Sequence, residues 1–216
     1  MKTVLILSGG MDSAVLLHHL QATGHEVAAL SIDYGQRHRR ELHCAGYLAR
    51  EAHARYQLAD LSSLRPLLAG SSQTDGSVEV PHGHYSEESM KQTVVPNRNM
   101  LLLSCAIAWA VSLKFDAVAY GAHAGDHAIY PDCREEFCKA MAEVAKVCDW
   151  HPVELVRPFI AMTKGEIVKR GLELGVPFQH TWTCYEGLHT PCGKCGSCVE
   201  RAEAFAFAGA PDPLLA

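Results

Sequence analysis

Ser8-Gly9-Gly10-Met11-Asp12-Ser13 stands between a short apolar run, Thr3 to Leu7, and a segment whose Ala14, Leu17 and Leu20 recur at helical spacing. A strand entering a helix through glycines gathers free backbone N–H groups and the positive end of a helix dipole, and lets an anion approach the backbone. Phosphate suits such a turn. Neither GxxxxGK(S/T) nor GxGxxG occurs in the chain, so the commoner nucleotide loops are excluded. A carboxylate at Asp12 beside phosphates calls for a bridging Mg2+, and the Ser8 and Ser13 hydroxyls can donate to phosphate oxygens. The second constellation is Cys184-x7-Cys192-x2-Cys195-x2-Cys198, interleaved with Gly187, Gly193 and Gly196. Four thiolates so spaced suit one tetrahedral Zn2+ per chain, with a 4Fe-4S cluster as the competing occupant. A closed four-thiolate zinc site has no open position for water, so the expected role is structural, pinning the C-terminal segment over the site.

The elements that must position these residues alternate. Thr3 to Leu7 and Glu26 to Ile32 read as strands, each followed by a helical pattern, the second carrying Leu42, Ala45, Leu48 and Ala49. Tyr56 to Leu61 is a weaker strand; a helix over 98–113, a strand from Ala117 to Tyr120 and helices over 134–147, 164–174 (capped by Thr163) and 198–208 follow. This alternation predicts an α/β fold, a Rossmann-like parallel sheet with helices on both faces. Residues 1–180 form the expected nucleotide-binding and catalytic domain, and 181–216 the cysteine-bearing segment with a terminal helix. The irregular stretch Ser62 to Val95 is expected to be functional or mobile.

Composition bounds the function. With 216 residues, 48% hydrophobic and 20% charged, the chain reads as one soluble domain with a small appendage. Its longest apolar run, Met100 to Leu113, is shorter than the about 20 residues a membrane span needs. The apolar start is interrupted at Ser8, which argues against export, and nine cysteines, an odd number, point to a reducing cytoplasm. Nineteen basic against 24 acidic residues argue against nucleic acid as the main partner. The Arg37-His38-Arg39-Arg40 cluster is expected to be a solvated helix face or subunit contact.

The SGGxDS spelling resembles the pyrophosphate loop of the N-type ATP pyrophosphatases, the group of adenine nucleotide α-hydrolase-type folds that includes GMP synthetase, NAD synthetase, argininosuccinate synthetase and the tRNA thiolases. The resemblance implies cleavage of ATP between its α and β phosphates. It also implies ATP contacts along Leu7, Ser8, Gly9, Gly10, Met11, Asp12, Ser13, Ala14, Val15, Leu16 and Leu17, with Asp33 and Tyr34 at the end of the second strand. Asp33-Tyr34-Gly35-Gln36-Arg37, Val95-Pro96-Asn97-Arg98-Asn99, Tyr130-Pro131-Asp132-Cys133-Arg134 and Thr183-Cys184-Tyr185 together are similar to the QueC family of 7-cyano-7-deazaguanine synthases. That likeness implies ATP-dependent conversion of 7-carboxy-7-deazaguanine and ammonia to the nitrile, by a homodimer. Asp12, Ser13, Arg98 and Lys164 are the expected catalytic groups. Asp126 or Asp132 would accept from the guanine-like edge, Tyr130 would stack on it, and Arg134 would add a cation at the adenylated centre. Met11 departs from the glutamine expected there, so that position contributes backbone. Within 216 residues no glutaminase domain is expected, so nitrogen is expected to arrive as free ammonia or from another protein. A tRNA thiolase, a synthetase acting on another carboxylate and a non-catalytic zinc module are the rival readings. Of the histidines, His82, His84, His123 and His127 are the ones worth testing.

Overall fold

Along β1 (Lys2–Ile6) and β2 (Glu26–Asp33), successive side chains belong to different cores, as the two-residue period of a strand requires. Val4, Ala28, Leu30 and Ile32 pack on one face; Leu5, Val27 and Ala29 pack on the other. A sheet apolar on both faces needs helices on both, and the structure, a computed structural model describing residues 1–84, 90–124 and 130–215, supplies them. Strands β3 (Arg55–Asp60), β4 (Ala117–Ala119) and β5 (Glu154–Val156) complete a five-stranded sheet of order β3-β2-β1-β4-β5, every neighbouring pair parallel.

Helices α1 (Met11–Ala22) and α2 (Arg40–Glu51) cover one face together with α5 (Lys164–Glu173) and α6 (Gly196–Ala208). Helices α3 (Arg98–Leu113) and α4 (Glu135–Val147) cover the other, α3 through Leu103, Ala106, Ile107 and Ala110 at the spacing of one helical face. Helix α5 starts at a capping box between Thr163 and Glu166. Ala204 and Phe205 of α6 lie in the same core as α1, so the terminal helix is part of the main fold's packing.

Two features differ from the sequence expectation. The three residues of β5 at the sheet edge are too few to show a period. The stretch after β3 is also more structured than its composition suggests: a 3-10 turn spans Ser62–Leu68, and Ser71 to Thr74 are buried. Gln73 donates from Nε2 to the Thr93 carbonyl at 2.7 Å and accepts the Arg37 amide on its own carbonyl. Those bonds satisfy a polar segment inside the protein.

Candidate active site

The strand order reverses between β1 and β4, where crossovers leave in opposite directions and open a crevice at the strands' carboxyl ends. The glycine-rich turn leaves β1 there, and Gly121-Ala122-His123 follows β4. A cleft of about 230 Å³ occupies the position. Ser8, Asp12, Ser13, Tyr34, Arg98, Tyr130 and Lys164 all line it, so chain segments as distant as the first helix and α5 converge.

Gly9 is needed twice over. Its φ is +90°, and a Cβ would lie 2.0 Å from the Glu41 carbonyl oxygen of α2. Gly10 caps α1 in extended conformation without a side-chain cap, leaving the first-turn amides of Met11, Asp12 and Ser13 without intrahelical acceptors. The Ser8 and Ser13 hydroxyls lie 3.0 Å apart. Asp12 Oδ1 is buried with no partner, while Oδ2 lies 3.8 Å from His123 Nε2. An orphaned carboxylate oxygen beside free amides matches a cation bridging to phosphate. Met11, Ala14, Val15, Leu16 and Leu17 point into the core and support the loop from below; their side chains contribute packing.

Burial works against the charge of Arg98, but Tyr34, Tyr185, Asp132 and Tyr130 around it more than offset this, and its pKa lies above the ordinary arginine value. Arg98 also donates to Gln73 Oε1 at 3.3 Å. Burial pushes the Tyr34 phenol up to about 12, against the pull of Arg98. Tyr130, buried, shares a 2.8 Å hydrogen bond with the Thr93 hydroxyl. Lys164 pairs with Glu200 on the cleft wall.

Three of the expected site residues sit elsewhere. Asp33 accepts from the Gly35 amide at 3.0 Å, pairs with Arg39 and faces a separate cavity with Arg37 and Arg65. Asp132 Oδ2 accepts from the Asn99 amide at 3.0 Å, serving the first turn of α3, whose own N-cap, Asn97, is left-handed and supplies no side-chain bond; Oδ1 is buried and unpartnered. Arg134 is exposed at the start of α4, off the cleft wall. Asp126 and His127 lie outside the described residues.

The sequence reading missed His38, Glu41, Gln73 and Tyr185, all on the cleft wall. The basic cluster is not a uniform solvated face: His38 is 2% exposed, and Arg40 lies over the Trp182 ring at 4.6 Å. The only available signal was one histidine inside an arginine run.

The four cysteine sulfurs lie within 4.8 Å of one another. Amides of Cys192 and Cys195 donate to Cys184 Sγ and Cys192 Sγ at 3.3 and 3.2 Å. Hydrogen bonds from Cys195 and Cys198 depress Cys184, and the bond to Cys184 raises Cys195 to about 12 and raises Cys198 as well. Four thiols so close cannot all ionise on their own; a metal cation removes that conflict, and the set fits one held by four thiolates. The segment is tied to the cleft: the Trp182 amide donates to the Gly9 carbonyl at 2.8 Å, Trp182 Nε1 to the Cys184 carbonyl at 2.9 Å, and Val80 packs against Trp182, Cys184 and Cys195.

The family model described as queuosine biosynthesis protein QueC matches residues 2–209. Over 213 residues the chain is 55% identical to the 7-cyano-7-deazaguanine synthase of Hahella chejuensis, covering 99% of this chain and 92% of that protein. It is 51% identical over 213 residues to 7-cyano-7-deazaguanine synthase 1 of Colwellia psychrerythraea, covering 99% and 97%. Among solved structures it is similar to the U34-tRNA thiolase NcsA from Methanococcus maripaludis with its 4Fe-4S cluster. The TM-score is 0.54 at 19% identity, over 94% of this chain and 64% of that one, a likeness of fold alone.

Proposed function

The chain belongs to the QueC family of queuosine biosynthesis proteins, and on that premise we propose that it converts 7-carboxy-7-deazaguanine and ammonia into 7-cyano-7-deazaguanine at the expense of ATP. The observation that carries the reading is the partnerless Asp12 Oδ1 beside the free α1 amides, at the switch point of the sheet. A carboxylate is a poor electrophile, so its oxygen first attacks the α phosphorus of ATP, forming an acyl adenylate and expelling pyrophosphate. Ammonia displaces AMP and leaves the amide. The amide oxygen repeats the attack on a second ATP, and loss of AMP with the nitrogen's protons leaves the C≡N bond.

The α1 amides, Ser8 and Ser13 hold the departing pyrophosphate, and Asp12 holds Mg2+, which supplies charge neutralisation when bound. Arg98 and Lys164 face the charge that builds at the α phosphate. Tyr34 and Tyr130 form aromatic walls for planar rings. Asp126 is the acceptor for the purine-like edge. Cys184, Cys192, Cys195 and Cys198 hold a structural zinc, whose part is to fix the Trp182 contact to the loop. The reading extends to a homodimer working in the cytoplasm.

Mass spectrometry of products from protein incubated with ATP, Mg2+, ammonium and the acid tests it, alongside Asp12→Ala. The expected result is nitrile with AMP and pyrophosphate, reduced at least about 10²-fold in the variant. ADP in place of AMP overturns the α-phosphate chemistry, and absence of any product overturns the assignment.

A further inference from the structure

Turning an amide into a nitrile strips two protons from one nitrogen, and the groups assigned above to ATP include no base for them. Resting on that reading of the reaction, we propose that His38, held by Glu41, is the base that accepts these protons. His38 lines the cleft yet is 2% exposed. Its Nε2 lies 3.2 Å from Glu41 Oε2, and Nδ1 is buried with no partner. With Glu41 accepting from Nε2–H, Nδ1 carries the lone pair.

Glu41 is itself fixed for this task. Its Oε1 accepts from Gln36 Nε2 at 2.9 Å, and Gln36 Oε1 accepts the Tyr34 amide at 2.9 Å. Among the described residues no lysine or arginine forms an ion pair with Glu41, so its carboxylate is left to orient the imidazole. The groups facing the pair are Tyr34 from the end of β2, Tyr185 from the cysteine segment, whose ring stands 4.9 Å from His38, and Arg98 from α3 across the cleft.

The proton balance separates the two halves of the reaction. When ammonia displaces AMP from the acyl adenylate, nitrogen sheds one proton from a cationic centre, a strong acid. When the amide oxygen bonds to the α phosphorus and pyrophosphate leaves, nitrogen loses its first amide proton to His38, which returns it to solvent. Then the C–O bond breaks with its electron pair on AMP, the second proton passes from nitrogen to the freed His38 Nδ1, and the N–H electron pair completes C≡N. The first proton of each half leaves a cationic nitrogen, but the second proton of this half leaves a neutral imidate N–H, a far weaker acid, so loss of the base hits this half harder.

The test supplies wild type, His38→Gln and Glu41→Gln with ATP and Mg2+, either with acid plus ammonium or with the amide alone, and measures acid, amide and nitrile. His38→Gln is expected to slow nitrile formation from amide about 10²- to 10⁴-fold and amide formation from acid by less than about tenfold, so that amide accumulates. Glu41→Gln shifts the partition the same way by a smaller factor, and carries the test if His38→Gln does not fold. Equal slowing of both halves, or an unchanged amide-to-nitrile ratio, overturns the proposal. Absence of nitrile from wild type overturns the reaction reading instead, which separates the two failures.

Discussion

Replacing Gly9 by alanine tests the geometry of the phosphate loop most directly. An L-residue at φ +90° costs about 1–2 kcal/mol. The new Cβ would also meet the Glu41 carbonyl oxygen at 2.0 Å and the Ala45 amide nitrogen at 2.9 Å, both backbone atoms of a packed helix that cannot rotate aside. Forcing such an overlap costs about 1–3 kcal/mol more, so the total is about 2–5 kcal/mol. In a domain of this size each kcal/mol moves Tm by about 2–4 °C, giving a fall of about 4–20 °C. Gly24→Ala is the control: its φ is +83°, but a Cβ there has nothing within 4 Å, so it carries the dihedral cost alone. Thermal unfolding of both variants isolates the contact. ATP-induced stabilisation, measured in the same experiment, reports whether the displaced loop still binds nucleotide, and Gly9→Ala is expected to lose it. A Gly9→Ala variant no less stable than Gly24→Ala refutes the steric argument, and one that keeps its ATP response refutes the role of the loop.

Arg201 is buried against Asp212, with bonds of 2.7 and 2.8 Å, and also donates to Thr181 and the Phe178 carbonyl. Asp212→Ala leaves that guanidinium without its counter-charge and is expected to cost about 3–5 kcal/mol by chemical denaturation, whereas Glu143→Ala, breaking an exposed pair with Lys146, costs less than about 1 kcal/mol. Metal analysis is expected to give one zinc per chain and a colourless protein; chelation or Cys195→Ser lowers Tm and, by freeing Trp182 from Gly9, weakens ATP binding, while a brown iron-containing protein overturns the zinc assignment. Burial lowers the pKa of His18 and, with smaller contributions from Arg170 and His25, that of His19; His18 Nε2 and His19 Nδ1 are also buried without partners. The unfolded chain therefore protonates first as pH falls through about 6.5, so stability is full above that value and is lost below it. Tm measured from pH 8 to 5.5 is expected to fall below pH 6.5, less steeply in His18→Gln.

The phosphate turn, the four thiols and the alternation of strands with helices are legible in the chain because each is local. A period of two or of 3.6 residues, a pair of glycines at a strand end and four cysteines within one short segment state their chemistry without reference to anything distant. The same locality explains the failures. Asp33 and Asp132 carry the right functional group, yet one is paired with Arg39 and the other bonds the first turn of α3, outcomes set by which segments fold beside them. His38 read as part of a basic surface because neither its burial nor its contact with Tyr185, almost 150 positions away, has a sequence period. Local chemistry is written in the chain because covalent spacing fixes it. The wall of the cleft and the pinning of Gly9 by Trp182 arise only when the parallel sheet brings the carboxyl ends of β1, β2 and β4 together and the C-terminal segment closes over them.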